Sequence, residues 1–132
     1  MTHLSQALEF RRKFAQPSLH PEAAIKFEDI SRLSMQLGLI QEEADEFKEA
    51  IEEWTAVSSR AAKAHALKEL ADLVYVCYQM AAFLNVDLEA ALDRVHASNM
   101  SKLDDNGKPI YNASGKVMKG PNYKKPDLTD LF

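Results

Sequence analysis

Between Ile30 and Trp54 the apolar residues fall at Ile30, Leu33, Leu37, Ile40, Ala44, Phe47, Ile51 and Trp54. The steps alternate three and four, the spacing of one face of a long helix. A second segment is more demanding. Leu67, Leu70, Val74, Cys77, Ala81 and Leu84 form one stripe, and Leu73, Val76, Met80 and Phe83 form another. A helix that is apolar nearly all round must be covered on several sides.

Carboxylates sit on these faces. At about 100° per residue, Glu43 lies only about 40° round from Phe47, on the flank of the first stripe, and Glu46 follows one turn on. Extending the Leu73 stripe towards the N-terminus reaches Glu69 and Asp72. Burying an unpaired carboxylate costs several kcal/mol, so acids placed like this are normally paired or bound to a cation. No run of Lys or Arg occupies the matching faces, which leaves a hard metal ion as the simplest compensation. The plain alternative is salt bridging or solvation on a helix surface.

The rest of the chain reads as helices with short connections. A first helix is expected over His3 to Ala15, stopping before Pro17, and Pro17 and Pro21 mark a connector. The long helix is expected from Asp29 to Val57, with Gly38 inside it at a cost of roughly 1 kcal/mol relative to Ala and a kink or close helix contact there. Ser58-Ser59-Arg60 reads as a turn. The next helix runs to Leu84 with Asn85 as its stop, and Asp87 caps a fourth, Leu88 to Lys102. Asn106-Gly107 and Asn112-Ala113-Ser114-Gly115 are turn sequences, and the second is flanked by Ile110-Tyr111 and Val117-Met118, a candidate hairpin. At 132 residues this is one domain, with a helical core over about 3–103 and a hairpin and tail over 104–132. The expected fold is all-α, an antiparallel four-helix bundle. The third helix needs more cover than three others supply, which points to a homodimer or homotetramer.

The net charge of −4 is unevenly spread. Glu42, Glu43, Asp45, Glu46, Glu49, Glu52 and Glu53 face one Lys48, whereas Lys102, Lys108, Lys116, Lys119, Lys124 and Lys125 face Asp104 and Asp105. Carboxylates for ions and ammonium groups for phosphates suit a metal-bound polyphosphate. The acidic total, without a basic stripe and interleaved aromatics, argues against a nucleic-acid polymer as partner. No charged-then-apolar leader and no long uncharged apolar run occurs, so the expected location is the cytoplasm, with no membrane partner. Cys77, alone and mid-stripe, reads as a core thiol rather than a nucleophile. His96 pairs with Asp93 at i, i+3, but a di-iron site needs Glu-x-x-His on two helices and none is present. Phe47 and Trp54 read as core.

Side chains three or four apart on a helix are neighbours, so Glu43/Glu46 and Glu69/Asp72 each form a claw, and two antiparallel helices can aim the claws at each other. Oxygen-only ligands select Mg²⁺, with Mn²⁺ as its substitute, and so many carboxylates can hold two or more ions. Glu42 and Glu49 point further out, and Glu42 is the better candidate for a supporting role. Asn99 falls on the Leu88/Leu92/Val95 face, where an amide needs a partner.

Glu42-Glu43-Ala44-Asp45-Glu46, 22 residues, then Glu69-Leu70-Ala71-Asp72 resembles the EExxE…ExxD signature of the MazG-like all-α nucleoside triphosphate pyrophosphohydrolases. Asn99-Met100-Ser101-Lys102-Leu103 and the Lys-rich Gly115 to Tyr123 segment are similar to a bacterial and phage branch of that family. The resemblance implies hydrolysis of a (deoxy)nucleoside triphosphate to monophosphate and pyrophosphate, in pool-shaping or house-cleaning. It implies metal ligation by Glu43, Glu46, Glu69 and Asp72, and a catalytic part for Glu42 and Glu43, with Glu42 holding or activating the water. It implies sugar and phosphate contacts for Asn99 and Lys102, and a closing segment with Lys116, Lys119 and Tyr123. The substrate expected first is a purine deoxynucleotide, dGTP; a dUTP- or dCTP-specific enzyme of the same family is the alternative. From another class, a non-catalytic helical adaptor that oligomerises through the apolar stripes explains the third helix but not the flanking carboxylates.

Overall fold

The computed structural model describes residues 1–20 and 24–132, so Pro21 of the first connector lies outside the described residues. Four helices follow one another: α1 (His3–Lys13), α2 (Phe27–Val57), α3 (Arg60–Leu84) and α4 (Leu88–Met100). The protein is all-α, and among the described residues the only β pairing is a single antiparallel bridge, Tyr111 to Val117. The chain divides into two compact units, Met1–Val86 and Asp87–Phe132.

The first unit holds α1, α2 and α3, with α3 packed against both of the others. Helix ends obey the local chemistry. Asp29 turns back to accept the Lys26 backbone N–H at 2.9 Å. It is therefore the third residue of α2 and not its first, and the helix starts two residues earlier than its spacing predicts. Ser58 takes a left-handed conformation at the C-terminus of α2 (φ 51°), and the Ser59 hydroxyl caps α3 by accepting the Ala62 N–H at 3.0 Å. Arg60 is thus helical, and a two-residue turn joins α2 to α3 as an antiparallel hairpin. Asn85 ends α3 in the left-handed region (φ 57°), as expected. Helix α1 ends at Lys13 instead of Ala15, because Ala15 itself is left-handed (φ 51°). Gly38 makes no close helix contact among the described residues. Helix α2 runs through it unbroken, and a Cβ built there meets nothing within 4 Å.

Small residues make the close contacts of the first unit. Ala7, Ala50, Ala62, Ala66, Ala81, Ala82, Tyr78 and Phe83 are buried. Arg11 is buried as well. It donates to Gln79 Oε1 at 3.3 Å and to the Pro17 carbonyl, and it lies over the Phe83 ring at 5.6 Å. Burial pulls its guanidinium below the usual arginine range. Cys77 is half-buried, and burial pushes its thiol up, in keeping with an inert core thiol. The sequence reading needs one correction. Phe47 and Trp54 are only half-buried, while Leu37, Leu67, Leu70 and Val74 are exposed in the single chain.

In the second unit α4 ends at Met100, two residues early, and hydroxyls take over from the helix. Ser98 Oγ donates to the Lys124 carbonyl at 2.7 Å, Ser101 Oγ donates to the Ser98 carbonyl at 2.6 Å, and Lys124 N–H donates to Ser101 Oγ at 2.9 Å. Asp87 caps α4 as predicted, accepting the Ala90 N–H at 3.0 Å. Arg94 pairs with both Asp130 oxygens and donates to the Asp127 carbonyl at 2.9 Å, lacing the tail to the helix. The carboxyls of Asp104 and Asn112's amide oxygen each close a turn on two backbone N–H groups at 2.9–3.0 Å. The predicted hairpin contracts to the one bridge and its flanking bonds, Met118 N–H to Ile110 O at 2.7 Å and Asn112 N–H to Lys116 O at 2.9 Å.

Gly120 is the closest approach in this unit. A Cβ there would stand 2.5 Å from the Lys102 carbonyl oxygen and 2.7 Å from that of Leu103, both backbone atoms that cannot swing aside. Gly120→Ala is therefore expected to destabilise the second unit by about 1–3 kcal/mol, the usual cost of overpacking. Chemical denaturation together with limited proteolysis of the tail measures it. Wild-type stability and protection would show that the segment is not held against the end of α4.

Candidate metal centre

The α2–α3 hairpin brings acids from the two helices together. One carboxylate oxygen each from Glu43 on α2 and from Glu69 and Asp72 on α3 lie within 4.8 Å of one another. The i, i+3 spacing of Glu69 and Asp72 puts both on the side of α3 that meets α2, and packing of the hairpin supplies Glu43. Glu69 is the most enclosed of the three, at 5 % exposure. Glu43 and Asp72 are half-buried.

Two oxygens in this cluster have no hydrogen-bond partner. Glu43 Oε2 and Glu69 Oε2 are both buried and both orphaned. A buried carboxylate oxygen without a donor costs free energy that the fold has to supply elsewhere. A divalent cation removes that cost, and the donor set is all oxygen, as Mg²⁺ and Mn²⁺ require. The residues present fit the ion.

Glu46 stands beside the three rather than among them. The neighbouring Glu43 carboxylate is the main influence holding its carboxyl above the ordinary range, with partial burial next and Glu69 adding to it. Glu42 is exposed on α2, as is Glu49.

The matching faces carry no run of Lys or Arg, but a single ammonium group does border the acids. Lys68 Nζ lies 2.6 Å from Asp72 Oδ2 and 3.4 Å from Glu69 Oε1, and His65 Nε2 lies 3.8 Å from the same Glu69 oxygen. The hydrogen bond to Asp72 is the leading cause that raises the Lys68 pKa. The signal was present as the i, i+4 spacing of Lys68 and Asp72.

The other predicted residues belong to the second unit. Asn99 is exposed at the end of α4, and Leu92 and Val95 on the same face are exposed too, so in the single chain this face is open. Lys102 is half-buried just past α4. Lys116 is exposed, and Lys119 Nζ lies 4.8 Å from the centre of the Tyr123 ring, a cation–π contact. His96 and Asp93 are exposed, and among the described residues no ion pair joins them. In the first unit Trp54 carries Lys63 over its ring at 5.5 Å.

Residues 7–99, well over half of the chain, match the phosphoribosyl-ATP pyrophosphohydrolase family. The protein belongs to that family, within the MazG-like all-α pyrophosphohydrolase fold. Comparison with individual curated proteins gives no significant match. Among the described residues no helix is long and apolar enough to cross a membrane.

Like charges gathered in a partly dry site oppose folding when no metal is bound. Glu69→Gln removes one charge at nearly constant volume. In EDTA this variant is expected to be no less stable than wild type, and more stable by about 1 kcal/mol, the scale seen when strained functional sites are relieved. It is also expected to lose the rise in melting temperature that Mn²⁺ gives the wild type. An equal Mn²⁺-induced rise in both proteins would remove Glu69 from the centre.

Proposed function

We propose that this protein hydrolyses a (deoxy)nucleoside triphosphate between the α and β phosphates, releasing the monophosphate and pyrophosphate with Mg²⁺ or Mn²⁺. The observation that carries the reading is the trio Glu43, Glu69 and Asp72, within 4.8 Å of one another, with two buried oxygens lacking a partner. Family membership supplies the reaction class.

Glu43, Glu69 and Asp72 would hold the ion, and Glu46 joins them by a rotamer change or takes a second ion. Such ions neutralise phosphate charge and favour ionisation of a water molecule. Glu42 is exposed beside Glu43 and able to accept a proton from that water. The water's hydroxyl ends on one phosphate fragment and its proton leaves with Glu42. From the Asn-x-Ser-Lys and Lys-rich resemblance, Asn99 and Lys102 contact sugar and phosphate, and Lys116, Lys119 and Tyr123 close on the nucleotide. The enzyme works in the cytoplasm, where Cys77 stays reduced.

The substrate proposed first is a purine deoxynucleotide, dGTP. The family's own name cites a purine nucleotide, phosphoribosyl-ATP, which supports a purine base. A panel of common NTPs and dNTPs, dUTP and phosphoribosyl-ATP, with products separated by chromatography, tests this. Monophosphate and pyrophosphate are expected, with no turnover in EDTA and recovery on adding Mg²⁺. Glu69→Gln is expected to be slower by about 100-fold or more. Diphosphate with free phosphate would overturn the reaction class. A preference for dUTP or dCTP of more than about tenfold, or ~1.4 kcal/mol, would retire the purine assignment and leave the metal centre standing.

A homodimer or homotetramer is the assembly that the exposed surface favours. Leu67, Leu70 and Val74 lie on the side of α3 away from Glu69 and line, with Ala7 and Tyr78, an apolar groove of about 320 Å³. A second copy would cover it. The same surface would serve a non-catalytic adaptor, but an adaptor has no use for orphaned acids. Light scattering at micromolar concentration is expected to give two or four times 14.8 kDa. A monomer would refute the assembly.

A further inference from the structure

The acids of the metal centre are not symmetrically neutralised. On one side stand the buried, partnerless Glu43 Oε2 and Glu69 Oε2. On the other, Lys68 reaches up α3 to Asp72 Oδ2 at 2.6 Å and borders Glu69 Oε1 at 3.4 Å. Among the described residues no Lys or Arg of α2 forms an ion pair with the trio. His65 also borders the trio, at 3.8 Å from Glu69.

We propose that Lys68 is a built-in placeholder cation, which holds the centre's ligands in the metal-free protein and gives them up when the ion binds. The inference rests on the metal-centre reading above. An ammonium group and a hard cation want the same thing, the lone pairs of Asp72 and Glu69, and those lone pairs cannot be fully engaged with both. Lys68 also has the freedom to leave. Its side chain is 65 % exposed, against 7 % for Glu69, and among the described residues its ion pairs are those to Glu69 and Asp72. A flexible stem with a strongly hydrated head returns to water at little cost. Lysine therefore suits a placeholder better than arginine, whose fork would grip a carboxylate with two bonds.

Two opposite effects follow from one side chain. Lys68 stabilises the metal-free fold by neutralising part of the acid cluster, and it weakens metal binding because the ion must displace it. An ordinary surface ion pair of the same spacing would affect stability only slightly and would leave metal affinity untouched.

The test uses the full chain stripped with EDTA and titrated calorimetrically with Mn²⁺ alone, alongside thermal melts with and without Mn²⁺. Lys68→Met is expected to bind Mn²⁺ about fivefold more tightly than wild type, the upper range for releasing an exposed ion pair. It should also melt at a lower temperature in EDTA, with the gap closing once Mn²⁺ is added. Lys63→Met is the control, because it removes the same charge from the same helix at a residue that stacks on Trp54. It should shift Mn²⁺ affinity by less than about twofold, within weak surface electrostatics. Wild-type affinity in Lys68→Met, or an equal gain in Lys63→Met, overturns the placeholder while leaving the metal centre intact. Failure of the wild-type protein to bind Mn²⁺ overturns the metal centre itself, and the placeholder with it.

Discussion

Mutual repulsion of carboxylates is the force that the first unit is built to resist. Glu43, Glu69 and Asp72 approach within 4.8 Å, and the Glu43 carboxylate is the first cause that raises Glu46 above the ordinary carboxyl range. Left to themselves, two helices would turn such acids to water. They are held inward by the short Ser58–Ser59 turn and by alanines at Ala50, Ala62 and Ala66, which let the backbones of α2 and α3 come close. Apolar burial at roughly 25 cal/mol per Å² keeps the hairpin closed against the charge. The site therefore depends on packing outside it, and alanines that touch no ligand belong to its structure.

Helix α3 carries both halves of this balance. Its Glu69 side meets α2, and its Ala7-facing side meets α1. No single helix in the described residues does more, which is why its composition leaves so little polar surface. The stripe of Leu67, Leu70 and Val74 remains exposed because α1 is only 11 residues long and covers part of α3. Shortness of one helix thus translates into an apolar face on another.

Most of the helical frame was legible because its signals are local. Asn85 and Asp87 stop one helix and start the next by backbone and cap chemistry that acts within four residues. The claws were legible for the same reason, since i, i+3 spacing alone sets Glu69 beside Asp72. What escaped was long-range or was outweighed locally. Arg94 finds Asp130 across 36 residues, and no periodicity reports such a pair. The start of α2 moved because Asp29 caps backwards, and the end of α4 moved because Ser98 and Ser101 spend their hydroxyls on the tail. Burial was overestimated for Leu67 and Leu37, where a stripe shows which face is apolar but not what covers it.

Lys68 shows how a favourable local pairing and a functional one can share atoms. On an ordinary helix an i, i+4 Lys–Asp pair adds a few tenths of a kcal/mol, and salt screens it. Here the aspartate also belongs to a cluster whose remaining oxygens are buried and orphaned, so the same pair stands next to a deficit of positive charge that it only partly fills. One ammonium group cannot neutralise three carboxylates, and its exposed position keeps it from reaching Glu43 Oε2. The residual deficit is what a divalent ion is suited to remove, since it brings two charges into the space between the helices and can engage acids from both. A fold left in this half-neutralised condition keeps its hairpin closed without metal and still has a reason to bind it.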